Sequence, residues 1–231
     1  MNQKETICIV RTVNKTNCAN DPFNIRKMSS EIVSDPITTI FTNIVNSSFS
    51  TGVFPDSEKY AVVRPLLKAG KDRDELSSYR PLYNTSFLSK VLETACLKQL
   101  NDHLSKMPAL QKLQSAYRRN HSVETAVTKV FSDLIINKSQ GKDTILILLD
   151  LSAAFDTVDQ DILLNDLFAL GIDGIVLEWF RTYLKDRIFR VCVNDTLSDE
   201  CLMKTGVPQG SILGPILFLI YTIEYIMFLK V

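Results

Sequence analysis

The chain has 231 residues, no net formal charge, 45% apolar residues and 23% charged residues. That length suits one sizeable domain, and the composition is that of a globular protein with a buried core, which argues against bulk disorder. The five cysteines are scattered, without a CxxC pair or a nearby histidine pair, and this argues against structural zinc and a disulfide framework. With no secretory signal at the start, we expect an intracellular protein, nuclear or cytoplasmic.

Charge is unevenly distributed along the chain. Residues 59–142 contain 15 lysines and arginines against 7 acidic residues, whereas residues 143–200 contain 4 against 12. A basic half suited to phosphates, followed by an acidic half suited to cations, is a hint of nucleic-acid contact. Two solvated surfaces of uneven charge explain the same numbers, so both interpretations stay open.

The first elements are predicted from periodicity and turn residues. Residues 1–35 are interpreted as a leader of unknown role, with a short strand in ETICIVRTV and poor order elsewhere. A helix is predicted to begin near Pro36, capped by Ser34 or Asp35, and to end at Gly52. YAVVRPLLK, residues 60–68, predicts a strand, and its internal proline assigns that strand to a sheet edge.

Two amphipathic helices are predicted next, over about 86–105 and 122–138, each with one apolar face turned inward and a basic linker between them. TILILL, residues 144–149, is a short continuous apolar run, which predicts a strand buried on both faces. Further predicted elements are helices over about 159–170 and 175–185, a hairpin of residues 188–193 and 202–204 around Asn194-Asp195, and an apolar helix after GVPQGS. This mixture without βαβ alternation predicts an α+β fold.

Carboxylates gather where the predicted strand 144–149 ends. Asp150 follows the strand directly, and a charge at that position is costly unless it is paired or binds a cation. Asp156 and Asp159 follow, and clustered carboxylates suit Mg²⁺, which prefers oxygen ligands. Asp156 and Asp159 are equally explained as caps of the next helix, so this alternative stays open.

The segment Gly206–Ser211, GVPQGS, is a second candidate site. Glycines let a backbone approach a ligand closely, and Gln209 offers a donor and an acceptor to a base or sugar edge. A plain turn between a strand and a helix explains the same residues. Basic side chains on loops form the third signal, because arginine and lysine bind phosphates. They are Lys68, Lys71, Arg73, Arg80, Arg118 and Arg119. Most surface cations have no special role, so this alternative stays open for each of them.

Five segments, in chain order, resemble the successive motifs of reverse transcriptases from LINE-type retrotransposons, which lack long terminal repeats. They are VFPDSEKYAVVRPLLK, LSSYRPLYNTSFLSKVLE, QSAYRRNHSVETAV, LLDLSAAFDTVD and GVPQGSILGPILFLIY. The resemblance as a whole extends over about residues 37–222. The resemblance implies a right-hand polymerase fold with fingers over about 36–142 and a partial palm over about 143–231. It also implies synthesis of DNA on an RNA template from a DNA primer and deoxynucleoside triphosphates, with Mg²⁺.

The resemblance further implies roles for single residues. Asp150 would be the first palm carboxylate and would bind both metal ions, and Leu151 would offer its backbone carbonyl. Phe155 would be the aromatic gate that excludes a ribose 2′-OH. Lys68 and Arg80 would hold the incoming triphosphate, Gln209 and Gly210 would lie beside the nucleotide and primer–template, and Arg118 and Arg119 would contact nucleic acid.

Departures from the family pattern qualify these expectations. QSAYRRNHSV replaces a glycine and a Pro-Gly pair of the family pattern, and RPLY stands for the usual RPIS at 80–83. After LFLIY the chain reads TIEYIMFLKV, without the family's paired-aspartate box, so we expect an absent thumb and a catalytically incomplete fragment. A non-catalytic nucleic-acid-binding module is the alternative. Membrane attachment through residues 212–231 is not expected, because about ten unbroken apolar residues are too short a span.

Overall fold

A computed structural model describes residues 1–13, 35–107, 115–116, 120–151 and 153–223, and the side chains of the second range from residue 37. The chain forms two compact units: Met1–Gln99 together with Phe155–Val231, and Leu100–Ala154. The helices are α1 (Gln3–Thr12), α2 (Asp35–Thr51), α3 (Phe87–Leu104), α4 (Val123–Ser139), α5 (Gln160–Ala169), α6 (Gly174–Leu184) and α7 (Gly214–Tyr221). The strands are β1 (Tyr60–Leu67), β2 (Tyr79–Thr85), β3 (Arg187–Val193), β4 (Thr196–Leu197) and β5 (Cys201–Met203).

The first segment of the chain is helical, so the strand predicted in ETICIVRTV is wrong. Asn2 and Glu5 form a reciprocal capping box that satisfies the first amides of α1, which outweighs the strand preference of the β-branched residues. Ile9 and Val10 are buried, and the Thr42 hydroxyl donates to the Thr6 hydroxyl at 2.7 Å. Helix α1 therefore packs against α2.

Helix α2 matches the predicted extent, whereas Ser34 and the side chain of Asp35, the two predicted caps, lie outside what the structure describes. It ends at Thr51, and Gly52 adopts a φ of +70°, the left-handed conformation that terminates many helices. Three further predicted helices are confirmed as α3, α5 and α6. The side chain of Asp159 caps α5 by accepting from the amides of Asp161 and Ile162 at 2.9 and 3.0 Å.

The sheet has the order β2-β1-β3-β4, and β5 also pairs with β3. Strand β1 is therefore interior, and the edge position predicted from Pro65 is wrong. The reason is local: the parallel pairing with β3 ends at Val63, and on the other side Pro65 lies opposite Pro81. Two residues without an N–H can only form a pair that exchanges no backbone hydrogen bonds, so neither proline interrupts the ladder.

The predicted hairpin forms around Asn194 and Asp195, whose φ angles of 49° and 61° are those of a two-residue primed turn. It joins β3 to β4, and β5 then returns to pair antiparallel with β3. An aromatic cluster lies between α6 and α2, where Trp179 stacks on Tyr183 with ring centroids 5.6 Å apart and donates to the Ser48 hydroxyl at 2.9 Å.

The second unit departs from two predictions. Helix α4 forms where it is predicted, but its apolar face is exposed rather than inward, with Phe131 62% exposed. Residues 144–149 form no strand and are exposed, so the buried strand is also wrong. A strand needs a neighbour for its backbone groups, and no strand lies beside this run in the described part of its unit.

The predicted apolar helix after GVPQGS is α7, eight residues long. Of the helices in the described part of the chain, none combines the length and apolar character that a membrane span needs. Residues 224–231 of the apolar C-terminal stretch lie outside the described residues.

Candidate functional site

The candidate site is built around residues 206–211, called here the 206–211 loop, which connects β5 to α7. Its first anchor is strand β2, where the Tyr83 amide donates to the Gln209 carbonyl at 2.9 Å. Tyr83 lies opposite Val63, two positions from the paired prolines, so its N–H points away from β1. The loop therefore covers the free edge of β2 and satisfies a donor that the sheet leaves open.

The second anchor is the segment that follows Asp150 in sequence. The Val207 amide donates to the Phe155 carbonyl at 2.8 Å, and the Gly206 amide donates to the Val158 carbonyl at 2.7 Å. The Gln160 side-chain amide donates to the Gly206 carbonyl at 3.1 Å. Three motif segments that are distant in sequence thus meet at the loop through backbone contacts.

Glycine is required at two loop positions by space as well as by conformation. At Gly206, with a φ of +87°, a Cβ would lie 2.7 Å from the Phe155 carbonyl oxygen and 2.9 Å from the Asp156 Cα. At Gly210, with a φ of +104°, it would lie 3.1 Å from the Tyr83 carbonyl oxygen. At Gly206 the backbones therefore approach more closely than a side chain permits, whereas at Gly210 a side chain would require its neighbours to shift.

The predicted aromatic gate, Phe155, lies next to this loop. Its ring packs against Phe218 of α7 with centroids 5.3 Å apart and an interplanar angle of 40°. Phe155 is half-buried, Gln209 is half-buried and Gly210 is exposed. The structure therefore groups Phe155, Gln209 and Gly210 in one unit at one loop.

Asp156 is also beside the loop, where the Thr205 hydroxyl donates to its backbone carbonyl at 3.1 Å. Partial burial raises the pKa of the Asp156 carboxyl above its usual value. Burial, with a smaller contribution from the Asp156 charge, raises the pKa of Tyr83 to about 12. The cap of α5 is Asp159, so the capping alternative holds for Asp159 and not for Asp156.

The predicted phosphate-binding cations occupy the far end of the β1–β2 pair. The Lys68 ammonium donates to the Ser77 carbonyl at 2.7 Å, and Arg80 is exposed on β2 opposite Leu66. Lys71 and Arg73 are exposed in the connecting loop. Arg118 and Arg119 lie outside the described residues.

Asp150 and Leu151 belong to the other unit, Leu100–Ala154, and both are exposed in a stretch without regular secondary structure. Across the described ranges, no group of three or more histidine, cysteine, aspartate or glutamate side chains is close enough to hold a metal ion.

One residue at the loop was missed by sequence reasoning. Glu93 of α3 is fully buried, and its carboxylate accepts from the backbone amides of Ile212 and Leu213 at 2.6 and 3.2 Å. Its position inside the apolar face of α3 is the signal that could have found it, because a buried acid requires partners. Periodicity alone gives no indication that the partners lie more than a hundred residues away.

Comparison with known proteins gives a consistent result. Residues 67–230 match the family model described as reverse transcriptase (RNA-dependent DNA polymerase). The probable RNA-directed DNA polymerase from transposon BS of Drosophila melanogaster is 31% identical over 184 residues, which cover 78% of this chain and 20% of the relative. The RNA-directed DNA polymerase from mobile element jockey of the same organism is 29% identical over 178 residues, covering 77% and 19%. The chain therefore spans about a fifth of the length of these relatives.

The close approach at Gly206 predicts a large cost for an added methyl group. Replacing Gly206 by alanine should lower the free energy of unfolding by about 3 kcal/mol or more, since the positive φ alone costs about 1–2 kcal/mol and the contact forces the backbone to shift. Gly171→Ala is the matched control, because its φ of +78° is similar and its Cβ would meet no atom within 4 Å. Urea denaturation measures both, and equal losses would contradict the account of the contact.

The raised pKa of Asp156 predicts a dependence of stability on pH. A carboxyl whose pKa is higher in the folded state than in the unfolded state makes the free energy of unfolding fall as pH rises through that interval. Asp156→Asn stays neutral, so its stability relative to the wild type should increase as pH rises above about 4, the usual pKa of an aspartate. Asp74→Asn, an exposed loop position, serves as the control. An unchanged difference across this pH range would show that burial imposes no such cost on Asp156.

Proposed function

Since the chain belongs to the reverse transcriptase family, in the group of LINE-type retrotransposons without long terminal repeats, we propose that it contributes nucleotide and primer–template contacts to an RNA-directed DNA polymerase. The observation that carries the proposal is the joining of β2, the segment 155–158 and the 206–211 loop by backbone hydrogen bonds. The partition into fingers, about 36–142, and partial palm, about 143–231, belongs to the same proposal.

The loop is suited to contact with a nucleotide. Gly210 is exposed and has no side chain, so a base or sugar can approach its backbone closely. The amide of Gln209 offers both a donor and an acceptor within the same turn. We assign to this pair the role of lining the nucleotide and the primer end.

Phe155 supports a discrimination step at the same loop. Its ring is braced by Phe218, and its carbonyl is held by the Val207 amide, so neither the ring nor the backbone moves freely. A braced aromatic ring beside the sugar position would exclude a ribose 2′-OH by its bulk, which matches the role that the resemblance implies.

The cations of the β1–β2 pair are assigned to phosphate. Arg80 is exposed and suited to bidentate contact with phosphate oxygens. The Lys68 ammonium has three N–H donors and uses one of them for the Ser77 carbonyl. Its other N–H groups can bind a phosphate. Arg118 and Arg119 are assigned to the nucleic-acid template on their sequence position.

Members of this family use divalent metal ions. We propose that Mg²⁺ is the ion and that Asp150, with the backbone carbonyl of Leu151, supplies part of its oxygen ligands. One carboxylate can bridge two ions but cannot complete the coordination of either, so Asp150 is assigned the role of one ligand among several. When bound, Mg²⁺ would neutralise the charge of the triphosphate.

The loop assignment predicts a loss of binding in a single variant. A labelled DNA primer annealed to an RNA template, with the complementary deoxynucleoside triphosphate and Mg²⁺, is titrated with the chain and followed by fluorescence anisotropy. Gln209→Ala should weaken binding about tenfold, equivalent to about 1.4 kcal/mol. Gln99→Ala, an exposed glutamine of α3, is the control. Equal affinities for the two variants would contradict the assignment.

The metal assignment is tested in the same titration. Mg²⁺ should strengthen the effect of the triphosphate on binding, and Asp150→Ala should remove this Mg²⁺ dependence because a ligand is lost. Asp143→Ala, another exposed aspartate of the same unit, should retain it. Primer extension with the same variants separates the polymerase from a non-catalytic binding module. Retained Mg²⁺ dependence in Asp150→Ala would refute the role given to this carboxylate.

A further inference from the structure

We infer that Glu93 is a positioning residue for the 206–211 loop: its buried carboxylate anchors the backbone immediately after the loop and so fixes where Gln209 and Gly210 meet the nucleotide. The anchoring stands on contacts within the structure, whereas its consequence for nucleotide binding rests on the proposed function. Glu93 itself touches no reacting group.

The anchor is a set of three hydrogen bonds to one side chain. Glu93 Oε2 accepts from the amides of Ile212 and Leu213 at 2.6 and 3.2 Å, and Oε1 accepts from the Ser89 hydroxyl at 3.0 Å. The side chain is 0% exposed, so water does not substitute for any of these partners. If the carboxylate were removed, the Leu213 amide would be left unsatisfied in a buried place and the Ile212 amide in a partly buried one.

The two amides belong to the turn that leads into α7, where a helix start leaves backbone N–H groups without partners inside the helix. The next amide, that of Gly214, donates to the Ser211 hydroxyl at 2.9 Å. Glu93 and Ser211 together therefore satisfy three consecutive amides between the loop and the helix. The negative charge is also favourable at the start of a helix.

The charge of Glu93 interacts with a positive charge on β3, that of Arg187. Arg187 is 2% exposed. Its guanidinium carbon, Cζ, lies 4.8 Å from the ring centroid of Tyr183 and 5.6 Å from that of Phe54. Burial raises the pKa of Glu93. The Arg187 charge and the hydrogen bonds from Leu213, Ile212 and Ser89 act in the opposite direction and lower it. The Arg187 guanidinium donates to the Tyr183 carbonyl at 2.8 Å, and its positive charge favours the ionised form of Glu93.

The anchor acts at the C-terminal end of the loop, on the side away from the other two anchors. The amides of Gly206 and Val207 donate to residues 155–158 and the Gln209 carbonyl accepts from Tyr83, whereas Glu93 holds the backbone after Ser211. Gly210 lies between these anchors in a strained conformation that only glycine adopts easily. Without the Glu93 anchor, only the contact with Tyr83 and the turn from Pro208 to Ser211 would hold Gln209 and Gly210, so we expect their placement to be less precise.

Two variants separate the hydrogen bonds from the charge. Glu93→Met has a similar length but no comparable acceptor, whereas Glu93→Gln keeps an acceptor for the two amides and loses the charge. Amide hydrogen exchange over residues 206–213 should become about tenfold faster in Glu93→Met and stay within about threefold of wild type in Glu93→Gln. Val45→Ala, a buried position of α2, controls for general destabilisation and should leave the loop unchanged.

Binding of the RNA-templated primer with the complementary triphosphate is measured on the same proteins. Affinity should fall about tenfold in Glu93→Met and be largely restored in Glu93→Gln. Should Glu93→Met fail to fold, the double variant with Arg187→Met removes the uncompensated cation and still lacks the acceptor. If residues 206–213 exchange as slowly as in the wild type in folded Glu93→Met, or in the double variant, the inference that Glu93 anchors the loop is wrong. Faster loop exchange with binding unchanged in both that variant and Gln209→Ala would instead overturn the proposed function.

Discussion

The site depends on one constraint, the close approach of the 206–211 loop backbone to two other backbones. Gly206 lies where a Cβ would be 2.7 Å from the Phe155 carbonyl oxygen, and the Gln209 carbonyl accepts from Tyr83 on the outer edge of β2. These contacts require glycine at fixed positions and an N–H pointing away from β1. The paired prolines of β1 and β2 set that direction. A sheet register thus determines where the functional loop lies.

The sequence predicts elements well where local signals decide them. Helix α2 has a terminal glycine, α5 has a capping aspartate, and the Asn194–Asp195 turn has residues that tolerate positive φ. Predictions failed where the outcome depends on distant partners. Residues 144–149 form no strand, and the apolar face of α4 is exposed. Periodicity and apolar content show that a segment could be buried, but they do not show whether another element lies beside it. The α1 prediction is the exception, because the missed signal is local: the capping box of Asn2 and Glu5 outweighs strand propensity. In β1 the pairing with β3 ends before Pro65, so this proline does not interrupt the sheet.

The same division holds for the candidate site. The glycines of GVPQGS and the cap at Asp159 could be read from local chemistry, and the structure joins Phe155 to the loop. Asp150 remains a prediction, since it belongs to the other unit. Glu93 was missed because its partners, the amides of Ile212 and Leu213, are backbone groups 119 and 120 residues away in sequence. Periodicity indicates that such an acid is buried and gives no information about what it holds.

The central claim is that the 206–211 loop contacts the nucleotide and primer–template. The most direct test is amide hydrogen exchange of the whole chain, with and without an RNA-templated DNA primer, the complementary triphosphate and Mg²⁺. We predict slower exchange at Gln209 and Gly210 in the complex and unchanged exchange in α2. Slower exchange elsewhere in the chain, with none in the loop, would contradict the claim.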